Sequence, residues 1–133
     1  MKKRNKIMIA VFLVILVAFI ATAVIRTNLE KNLEKLAGIT LVNVDLAMIE
    51  DGVYTGSYSS FPVAADVKVT VKNHRITGID LVKHSNGQGA AAEVLPQKVV
   101  EAQSLSVDTV SGATYSSKVI LKAIEAALTG AIK

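Results

Sequence analysis

Residues 107–128 read VDTVSGATYSSKVILKAIEAAL, and the fold is decided by how this stretch is parsed. A β-branched run, residues 107–110, leads into Ser111-Gly112, and an amphipathic pattern follows. From Tyr115 onward Val119, Ile120, Ala123, Ile124, Ala127, Leu128 and Ala131 recur at helical spacing, with Lys118, Lys122, Glu125 and Thr129 on the other side. The expectation is therefore strand, tight turn, long helix. Five hydroxyl residues gather at the helix start: Ser111, Thr114, Tyr115, Ser116 and Ser117. Two readings fit them. Ser and Thr ahead of an apolar-periodic run are ordinary N-caps. Alternatively, free N–H groups at a helix N-terminus attract phosphate, and a glycine lets such a ligand approach the backbone. The chain contains no GxxxxGK[ST] and no GxGxxG, so the familiar nucleotide loops do not account for the feature.

Outward from that stretch, residues 66–72 are the clearest strand, with Val67, Val69 and Val71 on one face and Lys68, Thr70 and Lys72 on the other. Asn73-His74 forms a two-residue hairpin turn, and residues 75–84 return with Ile76, Ile79 and Leu81. One face of this hairpin needs a cover, and the last helix is the available one. Residues 53–59 have a strand's composition, with Gly56 at a bulge or a close backbone contact, until Ser59-Ser60-Phe61-Pro62 breaks it. Residues 84–89, HSNGQG, form a polar loop, and composition alone makes it a connector. Pro96 starts a helix that runs to Gln103, with Val99 and Val100 toward the core. The fold class is α+β: a small, largely antiparallel sheet packed against a C-terminal helix.

The amino-terminal third has a different character. Residues 7–25 are 19 positions holding only apolar side chains and Thr22. As a helix, at ~1.5 Å per residue, the run spans ~28 Å, close to the hydrocarbon thickness of a bilayer. Lys2, Lys3, Arg4 and Lys6 precede it, which predicts a cytoplasmic N-terminus and an outward-facing remainder. Ala21-Thr22-Ala23 resembles a signal-peptide cleavage site, but the apolar run continues past it to spanning length, so an uncleaved anchor is expected. Residues 27–37 read as a separate short helix with Leu29, Leu33 and Leu36 in a stripe and Gly38 as its stop. Residues 41–49 alternate loosely and fit either a strand or a linker. The expected organisation is tail and anchor over 1–26, linker helix and connector over 27–50, and a folded domain over 51–133.

Charge and cysteine usage narrow the function. The net charge of +4 resides at the membrane end: beyond residue 37 eight Lys/Arg face nine Asp/Glu, which leaves no basic surface for nucleic acid. Without cysteine there is no disulfide, no thioether-linked haem and no Cys-ligated iron–sulfur cluster, and two histidines do not make a protein zinc site. A redox role would rest on an organic cofactor.

Asp108-Thr109-Val110-Ser111-Gly112-Ala113-Thr114 resembles the Asp-x-x-Ser/Thr-Gly-Ala-Thr signature of the FMN-binding domain family. That family includes the flavin-carrying C subunit of the sodium-pumping NADH:quinone reductase and the G subunit of the Rnf complex. The likeness extends from about Asp51 to Leu128, through DGVYTG and the hairpin. It implies the same α+β fold, and FMN bound by Asp108, Ser111, Gly112, Ala113, Thr114 and Ser117. It further implies that Thr114 carries the FMN through a phosphoester made from FAD by a dedicated flavin transferase. A histidine at the position of His84 is common in the family, which makes His84 a candidate flavin neighbour.

The residues offer no general base, nucleophile or substrate pocket, and an electron carrier needs none. The expected function is a membrane-anchored flavoprotein on the outer face of the cytoplasmic membrane. It would move electrons between a membrane redox donor and an external or partner acceptor. The chain is shorter than the respiratory-complex subunits, which favours a stand-alone carrier or a smaller assembly. The alternative, from another class, is a cofactor-free binding or assembly module that retains the fold; an oxidoreductase with its own small substrate is a third.

Overall fold

Strand β2, Val63–Lys72, shows how the alternation of its sequence becomes a fold. Val63, Ala65, Val67, Val69 and Val71 are buried, while Lys68 and Lys72 between and after them are exposed. The computed structural model describes residues 2–85 and 89–132. In it β2 is the centre of a three-stranded antiparallel sheet, with β1 (Gly52–Ser60) and β3 (Arg75–Ser85) on either side. The Phe61-Pro62 turn, with a cis peptide bond, joins β1 to β2 where Ser60 pairs with Val63. At the opposite end Asn73 and His74 take φ of 52° and 59°, the paired left-handed geometry of a tight two-residue hairpin. That turn is tied down: the Asn73 N–H donates to Asp51 Oδ1 at 2.7 Å, and His74 Nδ1 lies 3.0 Å from the carbonyl oxygen of Ile49. The register of β3 slips opposite Thr70/Val71 and again opposite Asp66/Val67, so Thr77 and Val82 stand as extra residues in that strand.

Helix α3, Thr114–Ala131, lies on the buried face of the sheet and buries Val119, Ile120, Leu121, Ala123, Ile124, Ala127 and Leu128. It approaches β1 so closely that a Cβ on Gly56 would collide with the carbonyl of Ala123 and the amide of Ala127. Gly56 is therefore the close backbone contact of the two alternatives that its sequence allowed. A short 3₁₀ helix, Ala90–Val94, leads into α2, Leu95–Ala102, which carries Pro96 in its first turn and buries Val99 fully. After α2, Gln103 turns left-handed and its side chain acts as a substitute strand: it accepts from the Ile76 N–H at 2.9 Å and donates to the Ile76 carbonyl at 2.8 Å.

Two expectations change, and one open alternative is decided. Residues 107–110 are not a strand: no sheet edge pairs with them, the Val107 N–H donates to the Leu105 carbonyl, and the Val110 N–H donates to Ser117 Oγ. The N–H groups of Val107 and Val110 find their acceptors locally, and propensity has no ladder to join. On the polar side of α3 Thr129 is exposed, but the other three side chains are drawn into contacts. Lys118 Nζ donates to the Leu36 carbonyl at 2.9 Å, and Glu125 accepts from Lys122 Nζ at 2.7 Å and from the Val42 N–H at 3.3 Å. Residues 41–49 are a linker tied to α3 at Val42 and to Leu105 through Asn43 Oδ1, with a 3₁₀ turn at Leu46–Met48 and Ile49 fully buried. Finally, the predicted anchor and the predicted linker helix are one continuous helix, α1, Lys2–Ala37. Nothing in residues 26–30 breaks a helix, neither proline nor glycine, so the helix continues past the end of the apolar run.

The chain divides into two compact units, Met1–Lys35 and Leu36–Lys133. The first is helical and exposes its apolar side chains, Ile7 to Ile25, throughout; it is long and apolar enough to cross a membrane. The second holds the sheet, α2, α3 and the core.

Candidate functional site

The turn 110–113 and the first turn of α3 form one construction. Val110 accepts from the Ala113 N–H at 3.0 Å, Gly112 sits at φ +78°, and Ala113 serves as the helix N-cap. An alanine has no side-chain oxygen, and no side chain caps this helix. The N–H groups of Thr114, Tyr115 and Ser116 precede the first intrahelical bond, Ser117 N–H to the Ala113 carbonyl at 2.9 Å, and therefore point out of the helix end without an intrahelical acceptor. Of the two readings of the hydroxyl cluster, capping by Ser111 is excluded. Its side chain is exposed and makes no hydrogen bond among the described residues.

The five hydroxyls have separate fates. Ser117 is fully buried, and its Oγ donates to the Ala113 carbonyl at 2.7 Å while accepting from the Val110 N–H at 3.0 Å. It holds the turn closed from beneath. Ser116 is buried beside it. Tyr115 reaches away, its Oη 2.7 Å from the Phe61 carbonyl and 2.9 Å from Ser60 Oγ. Thr114, at the first helical position, and Ser111 remain exposed. Gly112 lies between them with nothing within 4 Å of where a Cβ would stand, so the ground above the turn is open. Asp108 is exposed in the preceding loop and makes no side-chain hydrogen bond among the described residues.

This arrangement suits a phosphate monoester or diester. Uncapped N–H groups and the positive end of an 18-residue helix favour negative charge at that point. A glycine at positive φ exposes the backbone, and a single helical hydroxyl, that of Thr114, stands at the rim. The residues fit the phosphate end of a flavin mononucleotide.

His84 lies at the same end of the sheet. It pairs with Ala65, and its neighbour Ser85 pairs with Ala64, close to the Ser60–Val63 turn that Tyr115 grips. Its Nδ1 is 3.0 Å from Glu93 Oε1, on the 3₁₀ helix before α2. Asn86, Gly87 and Gln88 of the predicted loop lie outside the described residues; Gly89 is buried. Sequence reading missed Glu93 and the latch from Tyr115 to Phe61, because both are contacts between residues far apart in the chain. Only the adjacency of Tyr115 to the Ser-Gly-Ala-Thr run hinted at the second.

Comparison with known proteins agrees with this geometry. A protein of Treponema pallidum (strain Nichols), described only as an uncharacterized protein, is 31% identical over 114 residues, covering 82% of this chain and 32% of that protein. The chain thus spans about a third of the length of that relative. A family model described as the FMN-binding domain matches residues 63–129, from the first residue of β2 to near the end of α3 and including the whole Ser111–Thr114 turn. The chain belongs to the FMN-binding domain family, and FMN is its cofactor.

Proposed function

We propose that this protein is a membrane-anchored flavoprotein that carries FMN covalently on Thr114 and passes electrons between a membrane redox donor and an acceptor outside the membrane. The observation that carries the reading is the exposed Thr114 hydroxyl at the head of a helix whose first N–H groups no side chain caps. A flavin transferase must reach its target, and Ser116 and Ser117 are buried where Thr114 is not. Thr114 Oγ would form the ester with the FMN phosphate of FAD as the pyrophosphate bond breaks; AMP leaves and the hydroxyl proton is lost. Ser111, Gly112 and Ala113 shape the turn around that phosphate, Ser117 braces it, and His84 lies toward the ring. Asp108 takes the first position of the signature. The bound flavin supplies one- or two-electron transfer, and the protein's part is position and electrostatics.

A covalent link has a physical reason if the domain faces outward, where a dissociated cofactor would be lost. Lys2, Lys3, Arg4 and Lys6 ahead of the apolar run support that orientation. Two measurements test the proposal. The full chain, co-produced with a flavin transferase, should show an intact mass raised by one FMN and flavin absorbance near equimolar; a bare mass overturns the covalent link and favours the cofactor-free module. Protease added to intact spheroplasts should remove the domain, and a protected domain reverses the topology.

A further inference from the structure

The two edges of the sheet are treated differently. On β3 the Gln103 carboxamide occupies both backbone groups of Ile76, α2 packs alongside, and two register slips interrupt the strand. Bulges and covers of this kind are how native sheets blunt an edge against further pairing. β1 has none of them. Its nine residues hold no charge and no proline, and its register with β2 runs unbroken from Gly52↔Val71 to Ser60↔Val63. Ser60 and Val63 flank a two-residue turn as a hydrogen-bonded pair, so alternate residues from Ser60 back to Gly52 bond to β2. The N–H and carbonyl groups of Val53, Thr55, Ser57 and Ser59 therefore point away from β2, along the open edge. All four residues are exposed, and among the described residues nothing outside β1 hydrogen-bonds to their backbone.

We infer that this edge is the docking site for one extended segment of a partner protein, added as a fourth strand beside β1. A second copy of this chain does not fit there. Helix α3 stands over β1 with no room for a Cβ on Gly56, and it runs the strand's length, from Tyr115 at Ser60 to Gly130 and Ala131 beside Tyr54. Pairing β1 with its own copy would set two such helices over strands ~4.8 Å apart, whereas helices pack ~8–10 Å apart. The occupant is thus a strand with no helix of its own on that face. Its side chains are constrained as well. Ala123 and Ala127 meet Gly56; at ~100° per residue the buried Ile124 lies on one flank of α3 and the exposed Ala126 on the other, above the open edge. A small residue suits the position opposite Gly56, and apolar residues suit those opposite the half-buried rings of Tyr54 and Tyr58. The residues between them, beside Thr55 and Ser57 on the other face, are polar, and β1 offers no charge to pair with. Such a strand reaches Ser59, next to Ser60, whose Oγ is 2.9 Å from Tyr115 Oη in the first turn of α3. It brings the protein that owns it beside the candidate site.

The test uses the full chain, labelled with nitrogen-15 in detergent micelles, and a synthetic peptide with blocked ends, Thr-Val-Thr-Ala-Thr-Val-Thr. Laid antiparallel to β1 with its alanine opposite Gly56, the peptide sets valines opposite Tyr54 and Tyr58. Its threonines then meet Val53, Thr55, Ser57 and Ser59, and their backbone groups face the edge. With the peptide at millimolar concentration, amide exchange with water at those four residues should slow at least tenfold, while Tyr54, Gly56 and Tyr58, already bonded to β2, stay as they were. N-methylation of the two central threonines removes two hydrogen bonds and should weaken binding about thirtyfold. N-methylation of the two valines, whose N–H groups face away, should leave binding within about twofold. The two analogues partition alike into the micelle, and the protein is unmutated throughout, so neither detergent nor misfolding imitates the result. No slowing at the four amides, slowing elsewhere instead, or equal effects of the two methylations overturns the inference. Amides at the four positions that are protected before peptide is added, and lose that protection on dilution, would mean that a second copy holds the edge, which also overturns it.

Discussion

Tyr115 donates its phenolic proton to the carbonyl oxygen of Phe61 at 2.7 Å, joining the first turn of α3 to the turn between β1 and β2 across 54 positions of sequence. Ser60 Oγ, 2.9 Å from Tyr115 Oη, can donate to that phenolic oxygen in return. The helix end that faces the phosphate is thereby fixed to the sheet on its side, by a bond that leaves its N–H groups free. Tyr115→Phe keeps the ring and its packing and removes the latch. Thermal unfolding of the full chain in detergent should report a loss of about 1 kcal/mol, the net worth of one hydrogen bond. A variant as stable as the parent would show that the contact is incidental.

Gly56 sets how near α3 can lie to the sheet. Its Cβ would overlap backbone atoms of Ala123 and Ala127, which cannot turn aside as a long side chain could. Gly56→Ala should therefore cost at least the ~1–3 kcal/mol of an overpacked core, and Gly56→Val should leave no folded domain. The contrast is Gly78→Ala: nothing lies within 4 Å of a Cβ there, and stability should change little. Equal effects at the two glycines would contradict the close approach of helix and strand.

The faces of β2 make a sharper pair. Val69 is fully buried under α3, whereas Lys68 next to it is exposed. Val69→Asp places an unpaired carboxylate in the core, at a cost of more than about 3 kcal/mol, and should abolish the cooperative unfolding transition. Lys68→Asp should leave it in place. Circular dichroism melts of the two variants decide the matter, and similar melts would mean the strand is turned over.

What was legible in the sequence was local. The two-residue period of Val67, Val69 and Val71, the Asn73-His74 turn, the start of α2 within one residue of Pro96 and the apolar stripe of α3 are each determined within a few residues of themselves. Residues 107–110 misled because β-branched composition reports a preference for strands but not the presence of a partner strand. The partners of Lys118 and Glu125, the Leu36 carbonyl and the Val42 N–H, were not legible because they lie 82 and 83 residues away. At the candidate site the Asp108 to Thr114 run was visible as a motif. The reason that Ser111 does not cap was not: it depends on the backbone of Gly112 and Ala113, which places Ala113 at the cap and turns Ser111 outward.

The remaining prediction bears on the attachment itself. Thr114→Val conserves shape and β-branching at the first helical position and removes only the hydroxyl, so the fold should persist. After co-production with a flavin transferase, the FMN mass increment and in-gel flavin fluorescence should disappear together. Ser111→Ala separates the roles of the two exposed hydroxyls. Had Ser111 been the cap, its loss would remove about 1 kcal/mol, but no side chain caps α3, so stability should stay within ~0.5 kcal/mol of the parent. Its effect should fall on the rate of attachment, because a hydroxyl beside the phosphate site is lost while the acceptor oxygen remains. Ser117→Ala works from beneath: it removes the acceptor for the Val110 N–H and the donor to the Ala113 carbonyl, loosening the turn at a cost of about 1–3 kcal/mol. A label that survives in Thr114→Val but is lost in Ser111→Ala would move the acceptor to the other exposed oxygen, on the far side of Gly112.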